Sequence, residues 1–207
     1  MPALSDEMRS RAEALIARYP QPRSALLPML YLVQADQGYV TREGMQEVAD
    51  LLGLTTAEVE AVATYYTMFK KAPTGKWLLS VCTNLSCALA GGRHLYERAR
   101  EVLGGGGDEQ VTVEEVECLA ACDAAPVVQV NYCNYDRVSE ERLLELVERL
   151  QADDPPEPSR GVAPRPHDRT ARILAGLGGS GGVARQGDEG VDTADERTPQ
   201  SVGEADG

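Results

Sequence analysis

Apolar residues recur with helical spacing through the first third of the chain and predict a run of helices. The predicted starting points are Ser5, Ser24, Thr41 and Thr55. Thr55 with Glu58 matches the capping-box pattern of a helix N-terminus. Gly38 and Gly53 follow the second and third helices, where glycine often ends a helix. Residues 1–72 are therefore predicted to form a helical N-terminal domain, a compact bundle.

After residue 72 the pattern changes to short apolar or alternating runs separated by helical stretches. Strands are predicted at 76–81, 111–117 and 127–130, and helices at 87–103 and 139–150. The order is strand, helix, strand, then two strands and a closing helix, which is an α/β pattern of thioredoxin-like size. The predicted fold class is α+β, with the helical bundle followed by an α/β domain over residues 73–150.

The composition changes again beyond Gln151. Residues 151–207 have no aromatic residue and are rich in Pro, Gly, Asp and Arg, which is typical of disorder. One island at 169–177 has some apolar content and either orders on a partner or belongs to the disordered segment. We predict a largely disordered C-terminal tail with a possible partner-binding motif.

The charge of the chain narrows the classes of partner. The 207 residues carry a formal net charge of -13 at pH 7, which argues against a nucleic-acid backbone or an anionic membrane as the main partner. Residues 1–18 include Asp6 and Glu7 and lack the long apolar core of a signal peptide. The longest apolar run, 25–33, contains Pro28 and is too short to span a bilayer. We expect a protein of a reducing compartment without direct membrane insertion.

Two close pairs of cysteines carry the candidate chemistry. Cys82 and Cys87 are separated by four residues, and Cys118 and Cys122 by three. Four thiolates around one centre suit iron or zinc. Structural zinc sites commonly use Cys-x-x-Cys on both sides, whereas these longer loops fit a [2Fe-2S] cluster, in which each iron takes two cysteines. The pairs lie far apart in the sequence, so tertiary folding has to assemble the site.

Other interpretations of the cysteines stay open at this point. Four thiolates would also bind zinc and form a zinc-stabilised interaction module. Two disulfides are less compatible with a reducing compartment, and a thiol-disulfide enzyme normally uses Cys-x-x-Cys, which does not occur here. The fifth cysteine, Cys133, is predicted at the end of the 127–130 strand, outside both loops, as a small apolar side chain.

The motifs around the cysteines resemble the NuoE family, the small thioredoxin-like [2Fe-2S] subunits of NADH:quinone oxidoreductase, respiratory complex I. The resemblance rests on segment 59–69, on Val81 and Cys82 with Cys87, and on segment 118–127. It extends over roughly residues 10–150, and segment 169–176 looks like a C-terminal piece of some relatives. Ala120 stands where many members of the family carry glycine.

The resemblance implies a helical N-terminal region followed by a thioredoxin-like [2Fe-2S] ferredoxin domain. It implies that Cys82, Cys87, Cys118 and Cys122 hold one [2Fe-2S] cluster. The expected partners are a flavoprotein subunit that carries FMN and the NADH site, and other peripheral-arm subunits of complex I. The expected location is cytoplasmic, at the inner face of the cell membrane through the complex.

The resemblance also indicates what this chain would do within such a complex. No dinucleotide-binding fingerprint occurs in the sequence, so NADH and flavin chemistry would take place on another subunit. The chain would belong to an enzyme without holding an independent catalytic site. Similar modules serve NAD-linked formate dehydrogenases and hydrogenases, and these remain alternative hosts.

Overall fold

The computed structural model describes residues 3–177, which contain eight α-helices and one four-stranded β-sheet. The helices are α1 (Asp6–Ile16), α2 (Leu26–Gln37), α3 (Arg42–Leu52), α4 (Thr56–Tyr65), α5 (Leu85–Leu89), α6 (Gly92–Val102), α7 (Glu140–Gln151) and α8 (His167–Leu174). The strands are β1 (Trp77–Cys82), β2 (Val111–Val116), β3 (Val128–Val130) and β4 (Cys133–Tyr135). Within residues 3–177, no helix is both long and apolar enough to cross a bilayer.

Helices α1 to α4 form a helical unit. Its helix starts agree with the sequence prediction except at α2, which begins at Leu26 and not at Ser24, because Pro22–Ala25 forms a 3-10 turn. The Ser5 hydroxyl accepts a hydrogen bond from the backbone N–H of Met8, and both bonds of the Thr55–Glu58 capping box are present. Gly38 and Gly53 end α2 and α3 in the left-handed conformation that glycine adopts at low cost. The core of the unit is apolar and includes the fully buried residues Met29, Leu30, Val33, Val48 and Phe69.

The sheet has the strand order β2-β1-β3-β4. β1 runs parallel to β2 and antiparallel to β3, and β3 is antiparallel to β4. Every residue of β1 is buried, as expected for a central strand covered on both faces. The parallel register pairs Trp77 with Val111 and Cys82 with Val116. The carboxyl ends of β1 and β2 therefore lie side by side.

The helix predicted at 87–103 is two helices, which corrects the sequence prediction. The chain breaks at Ala90 and Gly91, and Gly91 has a φ of 95°. Cys87 consequently lies inside the short helix α5 and not at the start of a long one. The fourth strand also differs from the prediction, because Cys133 begins β4 instead of ending the preceding strand. Periodicity alone does not reveal a one-residue left-handed break between two helical segments.

A buried ion pair ties the helical unit to the sheet. The Lys70 ammonium donates hydrogen bonds to both carboxylate oxygens of Glu114 on β2, at 2.9 and 2.7 Å. The backbone of Lys70 is held by α2, because its N–H donates to the Gln34 side-chain oxygen at 2.6 Å. Since a buried charge is costly without a partner, this pair fixes how the segment after α4 lies against β2.

The segment after α7 is ordered through residue 177, so the predicted disorder does not extend over 152–177. The Ser159 N–H donates to the Asn134 carbonyl at 2.8 Å, and the Tyr135 hydroxyl donates to the Pro156 carbonyl at 2.7 Å. Helix α8 then packs on α2 of the same chain and buries Ala171. The predicted motif at 169–177 therefore orders on its own chain, and the remainder of the predicted tail, 178–207, lies outside the described residues.

His167 anchors the first turn of α8 in a buried site. Its side chain is 4% exposed, and its Nδ1 atom lies 3.0 Å from the Thr74 hydroxyl. Its Nε2 atom has no hydrogen-bond partner within the described part of the chain. Burial lowers the pKa of His167 from 6.5; Lys70 lowers it further, while Glu114 and Asp168 oppose the shift. The docked imidazole is therefore neutral at pH 7.

Placing a carboxylate at the buried contact of α8 tests whether this helix stabilises the fold. We expect Ala171→Asp to lower the free energy of unfolding by about 2 kcal/mol, because a charge would be buried without a partner. Arg172→Asp, on the exposed face of the same helix, is the matched control. Urea denaturation followed by circular dichroism measures both. Equal stability of the two variants would contradict the packing described for Ala171.

The depressed pKa of His167 predicts a loss of stability in acid. The unfolded chain binds a proton at this residue near pH 6.5 and the folded chain does not, so acidification below pH 6.5 favours unfolding. We expect the stability of the wild-type protein to fall between pH 7 and pH 5, and less steeply in His167→Gln. The matched control is His94→Gln, which removes the other histidine of the chain; His94 is exposed and paired with Glu140. Parallel pH profiles for wild type and His167→Gln would refute this assignment.

Candidate [2Fe-2S] site

The four candidate ligands lie at one edge of the sheet. Cys82 is the last residue of β1, Cys87 lies in α5, Cys118 follows β2 by two residues, and Cys122 begins a 3-10 turn at Cys122–Ala124. The parallel pairing of β1 with β2 places both loops at the same end of the sheet. Cys82 and Cys87 are 3% exposed, whereas Cys118 and Cys122 are exposed. The site therefore has a buried half and a half open to the surface.

The buried half is enclosed by small apolar side chains and backbone. Cys82 and Cys87 share an apolar cluster with Ala121, Ala124 and Val127. The Cys82 N–H donates to the Val127 carbonyl at 3.2 Å, and the Cys82 thiol donates to the Glu117 carbonyl at 2.8 Å. These contacts join the first cysteine loop to both sides of the second and keep water from the inner thiols.

Close packing against α6 fixes the backbone of the buried pair. At Gly92 an added Cβ would lie 2.5 Å from the Cys82 carbonyl oxygen and 2.8 Å from the Cys87 carbonyl oxygen. Only glycine leaves room for this approach, because real Cβ atoms essentially never lie within 3.0 Å of backbone atoms. The first residue of α6 therefore rests directly on both cysteines.

The sulfur atoms influence one another's protonation. The pKa of the Cys87 thiol is raised to about 11, chiefly by burial; a hydrogen bond from the backbone of Val127 opposes this rise, and Cys82 and Cys122 contribute to it. Cys118 raises the pKa of Cys122, whose sulfur lies 3.7 Å from that of Cys118. Such mutual effects show that thiols from the two loops lie near one another. The raised pKa values keep Cys87 and Cys122 protonated at neutral pH, and both thiols would release their protons to solvent on binding a metal.

Ser86 connects the two loops and was not singled out by sequence reasoning. Its side chain hydrogen bonds to Cys122 and lowers the pKa of that thiol. A hydroxyl that donates to a sulfur stabilises the thiolate form. The signal that could have identified Ser86 is its position inside the Cys-x4-Cys loop, next to Cys87.

Ala120 occupies a strained backbone conformation between the exposed cysteines. Its φ is 56°, in the left-handed region that side chains disfavour. In this conformation the Ala120 N–H donates to the Cys118 sulfur at 3.3 Å. Backbone N–H donors of this kind stabilise thiolates and tune iron–sulfur centres. The strained conformation of Ala120 therefore directs its backbone N–H at the Cys118 sulfur.

The four candidate thiols divide into two pairs, one from each cysteine loop. Among residues 3–177, no three histidine, cysteine or carboxylate side chains converge on one ion position. A tetrahedral zinc site requires four donors around one point, whereas a [2Fe-2S] cluster takes two thiolates at each of two irons. The pair of sulfurs from Cys118 and Cys122 and the buried pair match the latter division. Cys133 lies elsewhere, with its sulfur 3.5 Å from the Val162 carbonyl oxygen.

Comparison with known proteins agrees with the geometry. The sequence profile of the family described as thioredoxin-like [2Fe-2S] ferredoxin matches residues 12–151. The E subunit of NADH-quinone oxidoreductase from Mycobacterium tuberculosis is 49% identical over 171 residues, which cover 80% of this chain and 68% of that protein. NADH-quinone oxidoreductase subunit 2 of Thermus thermophilus is 39% identical over 155 residues, which cover 71% of this chain and 86% of that protein.

A solved structure supports the fold. One chain of a crystal structure of NAD+-reducing [NiFe]-hydrogenase in the air-oxidized state is similar with a TM-score of 0.52 and 21% sequence identity. The similarity covers 63% of this chain but 23% of the hydrogenase chain. At this identity the likeness concerns the fold alone.

The left-handed conformation of Ala120 predicts that glycine at this position stabilises the protein. We expect Ala120→Gly to raise the free energy of unfolding by about 1 kcal/mol, because glycine adopts a positive φ without strain. Ala121→Gly is the matched control; Ala121 has a φ of -122°, so glycine there should be destabilising. Thermal denaturation of both variants measures the difference. A lower melting temperature for Ala120→Gly would contradict the predicted strain.

Proposed function

Because the chain belongs to the thioredoxin-like [2Fe-2S] ferredoxin family, we propose that it is the [2Fe-2S] electron-transfer subunit of an NADH:quinone oxidoreductase. The proposed ligands are Cys82, Cys87, Cys118 and Cys122. One observation carries the assignment: β1 and β2 end side by side and present one cysteine pair each. When bound, the cluster accepts and returns one electron.

The residues around the cysteines would contribute to this function in two ways: they exclude water and they donate hydrogen bonds to sulfur. Apolar side chains and the hydrogen bond from the Cys82 N–H to the Val127 carbonyl exclude water from the inner pair. The Ala120 N–H and the Ser86 hydroxyl donate to the sulfurs of the outer pair. Hydrogen bonds to the sulfurs and solvent exposure are the means by which a protein sets an iron–sulfur potential. The two halves of the site differ in both properties.

The partner we propose is a flavoprotein subunit that carries FMN and oxidises NADH. A subunit of a multi-subunit oxidoreductase is supported by the names of the relatives at 49% and 39% identity. The sequence contains no dinucleotide-binding fingerprint, so this chain's work is one-electron transfer and not hydride transfer. Through its complex the chain would lie at the cytoplasmic face of the membrane.

The choice of host complex follows from the more similar relatives. The relatives at 49% and 39% identity, each of which covers most of this chain, are named as subunits of NADH-quinone oxidoreductase. The hydrogenase chain is 21% identical and supports the fold only. An NAD-linked hydrogenase or formate dehydrogenase remains an alternative host. Purification of the intact complex and assay with NADH and a soluble quinone distinguishes these activities.

Removing one proposed ligand tests the site directly. We expect Cys118→Ser to abolish or strongly distort the electron paramagnetic resonance signal of the dithionite-reduced protein, because one iron would lose a thiolate. Cys133→Ser should leave the signal unchanged, since Cys133 lies outside both loops. Iron and acid-labile sulfide should be present in equal amounts in the wild type. Zinc without sulfide, or a normal signal in Cys118→Ser, would refute the proposal.

A further inference from the structure

The most exposed large apolar side chains of residues 3–177 are Tyr65, Leu85 and Leu89, with exposures of 77, 72 and 83%. The next most exposed such residue, Val102, reaches only 45%. Leu85 and Leu89 both belong to α5, and we call this pair the docking patch. Scattered exposed apolar residues are ordinary on soluble proteins, but a group beside a functional site indicates an interaction surface.

Helix α5 connects the docking patch to the candidate cluster site. Leu85 and Leu89 are four residues apart, so they lie on the same face of the helix. Cys87 lies between them in the sequence and is buried on the opposite face. A partner that covers the two leucines would therefore lie one helix diameter from the buried cysteine pair. This distance suits a surface across which electrons pass.

An acidic groove adjoins the docking patch. The groove has a volume of about 710 Å³ and is lined by Thr67 and Leu85, with Glu115 and Glu117 on one wall and Arg93 as its basic residue. Leu85 belongs to both the docking patch and the lining of the groove, so the two surfaces adjoin. Neither glutamate takes part in an ion pair within residues 3–177.

The two glutamates are held in place before any partner arrives. Glu115 accepts a hydrogen bond from the Thr83 hydroxyl at 2.6 Å, and Glu117 accepts one from the Asn84 side-chain amide at 3.3 Å. Thr83 and Asn84 belong to the same loop as Cys82 and Cys87. Preorganised carboxylates lose little conformational freedom on binding a cation.

We propose that the docking patch and the acidic groove together bind another subunit of the host oxidoreductase, one that presents apolar side chains around a lysine or arginine. This inference rests on the proposed function. The leucines would bury against the apolar side chains, and the basic side chain would enter the groove between Glu115 and Glu117. A cation there would also lie near the proposed cluster site. Its positive charge would favour the reduced cluster, which carries one more negative charge.

Charge argues against two other occupants. In a symmetric contact between two copies of this chain, the glutamates of one copy would face those of the other, which is unfavourable. The chain's own segment 178–207 contains more acidic than basic residues, so it does not complement the groove. A basic surface on a different subunit is the occupant that the charges favour.

Photo-crosslinking in the source cells tests the proposal on the full chain. Leu89 is replaced by benzoylphenylalanine, the tagged chain is purified after irradiation, and the cross-linked peptide is identified by mass spectrometry. We expect a subunit of the oxidoreductase, with a lysine or arginine in or beside the cross-linked segment. Leu174, which is 44% exposed on α8, is the control position and should not give this product.

A pair of substitutions measures the contribution of the patch. We expect the double variant Leu85→Gln with Leu89→Gln to reduce the amount of the other subunits that copurify with the tagged chain roughly tenfold. The electron paramagnetic resonance signal of the isolated chain should persist. Val102→Gln with Leu174→Gln, at less exposed apolar positions, should leave recovery unchanged.

Failure of this inference can be distinguished from failure of the proposed function. Recovery of the intact complex with the Leu85 and Leu89 variant would overturn this inference alone. So would crosslinks from position 89 to a second copy of this chain, to an unrelated protein, or to an acidic segment. A wild-type chain without a [2Fe-2S] signal would instead overturn the proposed function.

Discussion

Parallel pairing of β1 with β2 is the constraint on which the candidate site depends. The register that pairs Cys82 with Val116 brings a cysteine loop from each strand to the same edge. Side chains alternate between the two faces of a strand, so a shift of one residue would turn Cys82 to the opposite face. The alternation of β2, which buries Val111 and Val113 and exposes Glu115, opposes such a shift, because the slipped pairing would not match it to the core. The core of the sheet thus determines the geometry of the thiols.

Contacts far from the cysteines hold this sheet against the helical unit. The Lys70–Glu114 pair joins the segment after α4 to β2, and Glu114 also accepts a hydrogen bond from Ser80 on β1. On the other side, the His167 N–H donates to the Lys76 carbonyl just before β1, and α8 continues onto α2. The helical unit and the sheet are therefore connected at both ends of the central strand.

Local patterns predicted much of this structure, because they report on interactions between near neighbours. Ser5, Thr55 and Gly38 act at helix ends as their residue types suggest, and the alternating run at 111–117 is a strand. The spacing of the cysteines predicted the candidate ligand set, which the structure brings to one edge. The confirmed helix ends and the strand share one cause: their interactions span a few residues and leave a local signal in the sequence. The ligand set, which comes from two distant loops, stays a prediction.

The features that escaped prediction depend on contacts between distant segments. Gly91 breaks a helical pattern whose periodicity continues across it. Residues 152–177 have the composition of a disordered segment but are held by hydrogen bonds to β4 and by the packing of Ala171. Ser86 becomes important only because the second loop folds over it. Composition does not encode such contacts, since each depends on where another part of the chain lies.

The approach of Gly92 to the backbone of Cys82 and Cys87 has a consequence for electron exchange. Backbone atoms in direct contact have little freedom to move, and α6 is itself held between β1 and α7. A rigid frame of this kind changes shape little when the charge that it encloses changes by one unit. With the proposed cluster bound, the reorganisation energy on the protein side would therefore be small, and a small reorganisation energy permits rapid electron transfer with little driving force.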